Sequence, residues 1–87
     1  MHTNKQKLNK RLKIIEGQIR GLQKMVEADT YCIDVITQTS AIKQALSAIE
    51  NVLLEEHLGH CVVNQIKKGE TKKAVNEILK VYQLKKK

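Results

Sequence analysis

The chain has no tryptophan, no phenylalanine and only two aromatic residues, Tyr31 and Tyr82, among 87 residues. Its core is therefore built from Leu, Ile, Val and Ala, which bury modest area per residue, and a domain this small is marginal alone unless stapled or oligomeric. Two cysteines, Cys32 and Cys61, are too few for a disulfide framework. The expectation is reduced thiols in the cytoplasm. No apolar run approaches the ~20 residues that span a bilayer, and the basic, polar N-terminus does not read as a signal peptide, so no membrane is expected as partner. There is no β pattern, no internal repeat, no phosphate-binding glycine loop and no Ser/His/Asp set, so an enzyme is not expected.

Acidic residues are also scarce. Sixteen Lys/Arg stand against nine Asp/Glu, a net charge of +7, which points to an anionic partner, foremost nucleic acid. The charge is segregated. Residues 1–24 hold seven Lys/Arg and one acid, residues 27–64 hold six acids and one Lys, and residues 65–87 hold eight Lys and two acids.

The periodicity predicts an all-α fold of three helices, one domain over 1–87. The first runs from about Asn4 to Val26, with Leu8, Leu12, Ile15, Ile19, Leu22 and Val26 in a narrow stripe. Gly17 and Gly21 inside it suit the close approach of another helix better than a hinge. Lys7, Lys10, Arg11, Lys13, Arg20 and Lys24 occupy the other faces, a solvated surface or a phosphate-binding one. Asp29 or Thr30 is the expected N-cap of the second helix, with Asp34 in its first turn. That helix carries adjacent apolar pairs (Ala41/Ile42, Ala45/Leu46, Ala48/Ile49, Val52/Leu53), a face wider than one partner helix needs. It passes through Gly59 and stops at Lys67-Lys68-Gly69. Its ~35 residues would span near 50 Å, too long for a globule with a radius of gyration of ~12 Å. A second, antiparallel chain is the simplest remedy. The third helix covers about Thr71 to Leu84 with Val75, Ile78, Leu79 and Tyr82 inward, and Lys85-Lys86-Lys87 forms a tail.

The residues with metal chemistry sit at the two ends of the long helix. His57 and Cys61 are four apart and share a face. Cys32 lies in the first turn, where the positive end of a helix suits an anionic ligand. It is 25 residues from His57, roughly 37 Å along a helix, so one ion cannot touch both within one chain. In an antiparallel dimer Cys32 of one chain meets His57 and Cys61 of the other. Two thiolates and an imidazole suit Cu(I), or Zn(II) as a competitor if His60 adds a fourth ligand. Each residue also has an ordinary role available: a cysteine as a small buried hydrophobe, His57 and His60 as solvated surface groups.

The run Arg11-Leu12-Lys13-Ile14-Ile15-Glu16-Gly17-Gln18-Ile19-Arg20-Gly21, and Tyr31-Cys32-Ile33-Asp34-Val35 with Gln38 and Ser40-Ala41, resemble the first two helices of the CsoR–RcnR–FrmR family of bacterial repressors. The resemblance covers nearly the whole chain. It implies three helices per chain, an antiparallel dimer, a disk-shaped dimer of dimers and no helix-turn-helix. Cys32, His57 and Cys61 match the Cys-His-Cys pattern of its copper-sensing branch. The nickel/cobalt branch has His at the place of Cys61, the formaldehyde branch has an acid there, and the persulfide branch lacks the His. The resemblance further implies that Tyr31 and Glu77 support the metal ligands, and that Arg11, with Lys7, Lys10 and Lys13, holds operator DNA. A Cu(I)-responsive repressor is thus the leading expectation. A persulfide- or oxidation-sensing repressor of the same fold and a copper storage or chaperone protein without DNA binding are the rivals.

Overall fold

The computed structural model describes residues 5–86, and every regular element among them is helical. Helix α1 is Lys5–Glu27 and α2 is Cys32–Glu56. A π-helical segment, His57–Val62, and a short α3, Val63–Lys67, follow without a break, and α4 is Thr71–Lys86. Asn4 and Lys87 lie outside the described residues. Lys85 and Lys86, expected in a tail, continue α4.

The chain divides into two compact units, one up to Leu53 and one from Leu54 onward. In the first, Leu8 and Ile15 of α1 pack with Ile42 and Ile49 of α2, and Leu22, Ala45, Val52 and Leu53 border them. Leu8, Ile15 and Leu22 repeat at seven residues, as do Ile42 and Ile49. A repeat of seven keeps one seam of a helix on its partner. The rest of the predicted α1 stripe is not covered: Leu12, Ile19 and Val26 are exposed. On α2 one flank of the wide apolar face meets α1, while Ala41, Leu46 and Ala48 stay exposed. A Cβ built on Gly21 has nothing within 4 Å, and one on Gly17 meets only the Arg20 guanidinium at 3.7 Å. Among the described residues no helix approaches these glycines closely.

Asp29 has a different role from the one expected. Its φ is 51°, and it closes α1. Its N–H donates to the Val26 carbonyl at 3.2 Å, and the Thr30 N–H to Met25 at 3.0 Å. This is a Schellman ending with aspartate in the left-handed position. In the first turn of α2 the Asp34 and Val35 N–H groups both donate to the Tyr31 carbonyl, at 3.0 and 3.2 Å. Tyr31, not Asp29 or Thr30, thus occupies the cap position of α2. Asp34 does sit in the first turn.

In the second unit, α3 ends where the sequence predicts. Gly69 has φ 79°, its N–H donates to Ile66 at 3.0 Å, and the Glu70 N–H donates to Gln65 at 2.7 Å. A residue with a Cβ is strained there, and glycine is not. On α4 the buried residue is Ala74, 2% exposed, with Ile78 half-buried. Val75, Leu79 and Tyr82, expected inward, are more than half exposed. The reason is the size of α3, whose five residues cover only a narrow strip of α4. Val75 and Leu79 line an open apolar groove with Val62, Ile66, Thr71, Ala74 and Ile78.

Candidate metal and nucleic-acid site

His57 opens the π-helical segment and Cys61 lies inside it. In such a segment hydrogen bonds run from i to i+5 and the turn is wider than in an α-helix, a feature frequent at functional sites. The two residues lie four positions apart within this one segment. His57 is half-buried and Cys61 is exposed. The sequence around them reads His57-Leu58-Gly59-His60, and Gly59, with nothing near its Cβ position, is the residue least suited to a regular α-helix. An uninterrupted α-helix was expected there. A glycine between two histidines in a helix interior was the available sign of the widened turn.

Cys32 is the first residue of α2, in the other unit, and is also exposed. Neither thiol is a buried hydrophobe in this chain. Among the described residues no group of three or more His, Cys, Asp or Glu within the chain could hold a metal ion. His60 is exposed.

Tyr31 precedes Cys32 and is 68% exposed, so this chain's own core does not bury it. Glu77 is not simply solvated either. It is half-buried on α4 and its Oε1 accepts a hydrogen bond of 2.7 Å from Gln65 Nε2. Gln65 is the residue that reading the sequence missed. It lies four positions after Cys61, but only the packing of α3 on α4 brings it to Glu77. Its own Oε1 is buried with no hydrogen-bond partner among the described residues.

On α1, Lys7, Lys10 and Lys13 are exposed and Arg11 is half-buried. Arg11 lies three residues after Leu8 and four before Ile15, so it borders the packed seam. These four side chains make no ion pair among the described residues, whereas Arg20 pairs with Glu16 at 3.5 Å. The N-terminal half of α1 thus presents uncompensated positive charge.

Residues 4–83 match the family model of the metal-sensitive transcriptional repressors. The chain belongs to this family. Among its relatives, the copper-sensing transcriptional repressor CsoR of Bacillus subtilis (strain 168) is 46% identical over 78 residues, 90% of this chain and 77% of the relative. The copper-sensing transcriptional repressor RicR of Mycobacterium tuberculosis (strain ATCC 25618 / H37Rv) is 52% identical over 60 residues, 69% of this chain and 62% of the relative. The crystal structure of the copper-sensing repressor CsoR with Cu(I) from Geobacillus thermodenitrificans NG80-2 aligns with a TM-score of 0.89 at 42% identity, over 100% of this chain and 92% of that one. The nickel-responsive transcriptional regulator InrS aligns at 0.74 and 31% identity, over 90% and 88%. This family of repressors has the all-helical architecture found here, and no helix among the described residues is long and apolar enough to cross a membrane.

Proposed function

We propose that residues 1–87 form one domain of a Cu(I)-responsive repressor in the cytoplasm, which binds double-stranded operator DNA without metal and releases it when Cu(I) is bound. The observation that carries the reading is that His57 and Cys61 lie in one π-helical segment, with Cys61 exposed. The copper-sensing relatives support the choice of ion. Cys32 from a second chain completes the ligand set. Thiolate, thiolate and imidazole are soft-to-borderline donors, which fit Cu(I) and leave Zn(II) a poorer competitor unless a fourth ligand joins. His60 is the candidate for that fourth place.

Homo-oligomerisation, as an antiparallel dimer and a dimer of dimers, is supported by the apolar surface left open. Ile14, Ile33, Ile36, Ile66 and Leu84 are all more than half exposed, apolar side chains that a second copy of the chain can cover. Glu77 and Tyr31 act on the ligands rather than as ligands; Glu77, held at Gln65, is a carboxylate available to orient an imidazole. Arg11, Lys7, Lys10 and Lys13 bind DNA phosphates, so affinity falls with salt. A hundredfold loss of DNA affinity on metal binding corresponds to a coupling of about 2.7 kcal/mol, and DNA must weaken metal binding by the same factor.

The test is a competition titration of Cu(I) against Zn(II), read by release of the promoter duplex. Cu(I) should release DNA from the wild type, and Cys32→Ala or Cys61→Ala should abolish the response. Unchanged Cu(I) stoichiometry in Cys32→Ala would refute the inter-chain site. The exposure of both thiols also suits a persulfide or oxidant signal. His57→Ala separates the two, because a thiol sensor would still respond. DNA binding by the metal-free protein excludes a storage or chaperone role.

A further inference from the structure

The α1 surface uses only one of the two basic flanks of the chain. The second flank is concentrated at the turn between α3 and α4, where Lys67, Lys68, Lys72 and Lys73 fall within seven residues and all four are exposed. Two acids lie nearby. Glu70 is 3.8 Å from Lys73 and offsets that one charge. Glu77 is turned to Gln65. Among the described residues Lys67, Lys68 and Lys72 have no ion pair. Residues 67–73 therefore carry four positive charges against one negative.

The backbone beneath these lysines is set rather than loose. Gly69 is in the left-handed region, and the Lys68, Gly69 and Glu70 N–H groups all donate back into α3, at 3.1, 3.0 and 2.7 Å. The four lysines thus leave a defined turn on flexible stems. Lysine is a point charge without the planar fork of arginine, so such a cluster suits phosphates and not base edges.

We propose that the α3–α4 turn is a second contact with the phosphate backbone of duplex DNA, separate from the α1 surface and indifferent to sequence. The inference rests on the reading of the chain as a DNA-binding repressor. The contact is made chiefly by Lys68 and Lys72, one on each side of Gly69, with Lys67 beside them.

The experiment measures metal-free full chain against a labelled duplex from its own promoter and a scrambled duplex of equal length, by fluorescence anisotropy between about 50 and 200 mM salt. Each phosphate contact adds about 0.9 to the slope of log affinity against log salt. The double variant Lys68→Gln/Lys72→Gln should lower that slope by about 1.8 for each protomer that contacts the duplex, so that its loss of affinity over this range is at least roughly tenfold smaller than that of the wild type. The change should be equal on both duplexes. Lys68→Arg/Lys72→Arg should restore the wild-type slope, and Lys43→Gln/Lys80→Gln, which removes the same charge elsewhere, should leave it unchanged. An unaltered slope in Lys68→Gln/Lys72→Gln overturns the inference, as does an equal drop in Lys43→Gln/Lys80→Gln, which would reduce the effect to net charge. Wild-type protein that binds neither duplex at low salt overturns the DNA-binding reading itself. The variants are soluble surface changes between residues of similar helix propensity, and far-UV circular dichroism verifies their fold.

Discussion

Replacing Gly69 with alanine should destabilise the protein by about 1 kcal/mol, and the reason lies wholly in the backbone. Gly69 has φ 79°, and a Cβ at this position meets nothing within 4 Å. No clash contributes. What remains is the cost of a Cβ in the left-handed region, about 1–2 kcal/mol. Alanine also restricts the unfolded chain, which returns about 0.4–1 kcal/mol. The turn cannot escape by relaxing, because three N–H groups, of Lys68, Gly69 and Glu70, are bonded to carbonyls of α3. Asparagine tolerates the left-handed region, so Gly69→Asn should lose less than Gly69→Ala. Thermal unfolding at one fixed protein concentration is the assay, since association shifts the midpoint. A loss of 1 kcal/mol lowers the midpoint by about 4–8 °C in a domain of this size. Alanine equal to glycine, or asparagine worse than alanine, would refute the assignment of Gly69 as the left-handed residue of the cap. The consequence extends to the site, because Gln65, whose carbonyl receives the 2.7 Å cap bond, also holds Glu77.

Glu77→Ala should cost about 1–2 kcal/mol in urea unfolding, since it strands the partly buried Gln65 amide; Gln65→Leu in the same background should recover part of that loss. Ile15→Ala, at a residue 4% exposed, should cost about 2–4 kcal/mol by the loss of buried volume, measured by the same unfolding curve. Asp29→Gly should stabilise by up to about 0.5 kcal/mol, because glycine relieves the left-handed strain at φ 51°; a lower unfolding midpoint would show that the aspartate side chain stabilises the turn more than the strain costs.

The contrast between Gly69 and Asp29 shows which features could be read from the chain alone. Lys67-Lys68-Gly69 is a stop signal because glycine is the residue that adopts positive φ freely, and the structure ends α3 there. Asp29 adopts the same region, yet aspartate is also a common N-cap, and local sequence does not separate the two uses. Which one occurs depends on where Met25 and Val26 place their carbonyls at the end of α1. The helical conformation of the stretch that holds His57 and Cys61 was legible for a simpler reason: its apolar periodicity runs on from α2. The widening of their turn was not, because hydrogen bonds to i+4 and i+5 differ by one residue.

Residue spacing by itself determined the helices and their apolar stripes, since these follow from hydrogen bonds and neighbours within a few residues. Tertiary structure decided which stripe is covered. It selected Leu8 and Ile15 over Leu12 and Ile19, put Ala74 rather than Val75 against the short α3, and turned Glu77 to Gln65. Periodicity states that a face is apolar, whereas burial depends on how much surface the neighbouring helix has to offer, and α3 offers five residues.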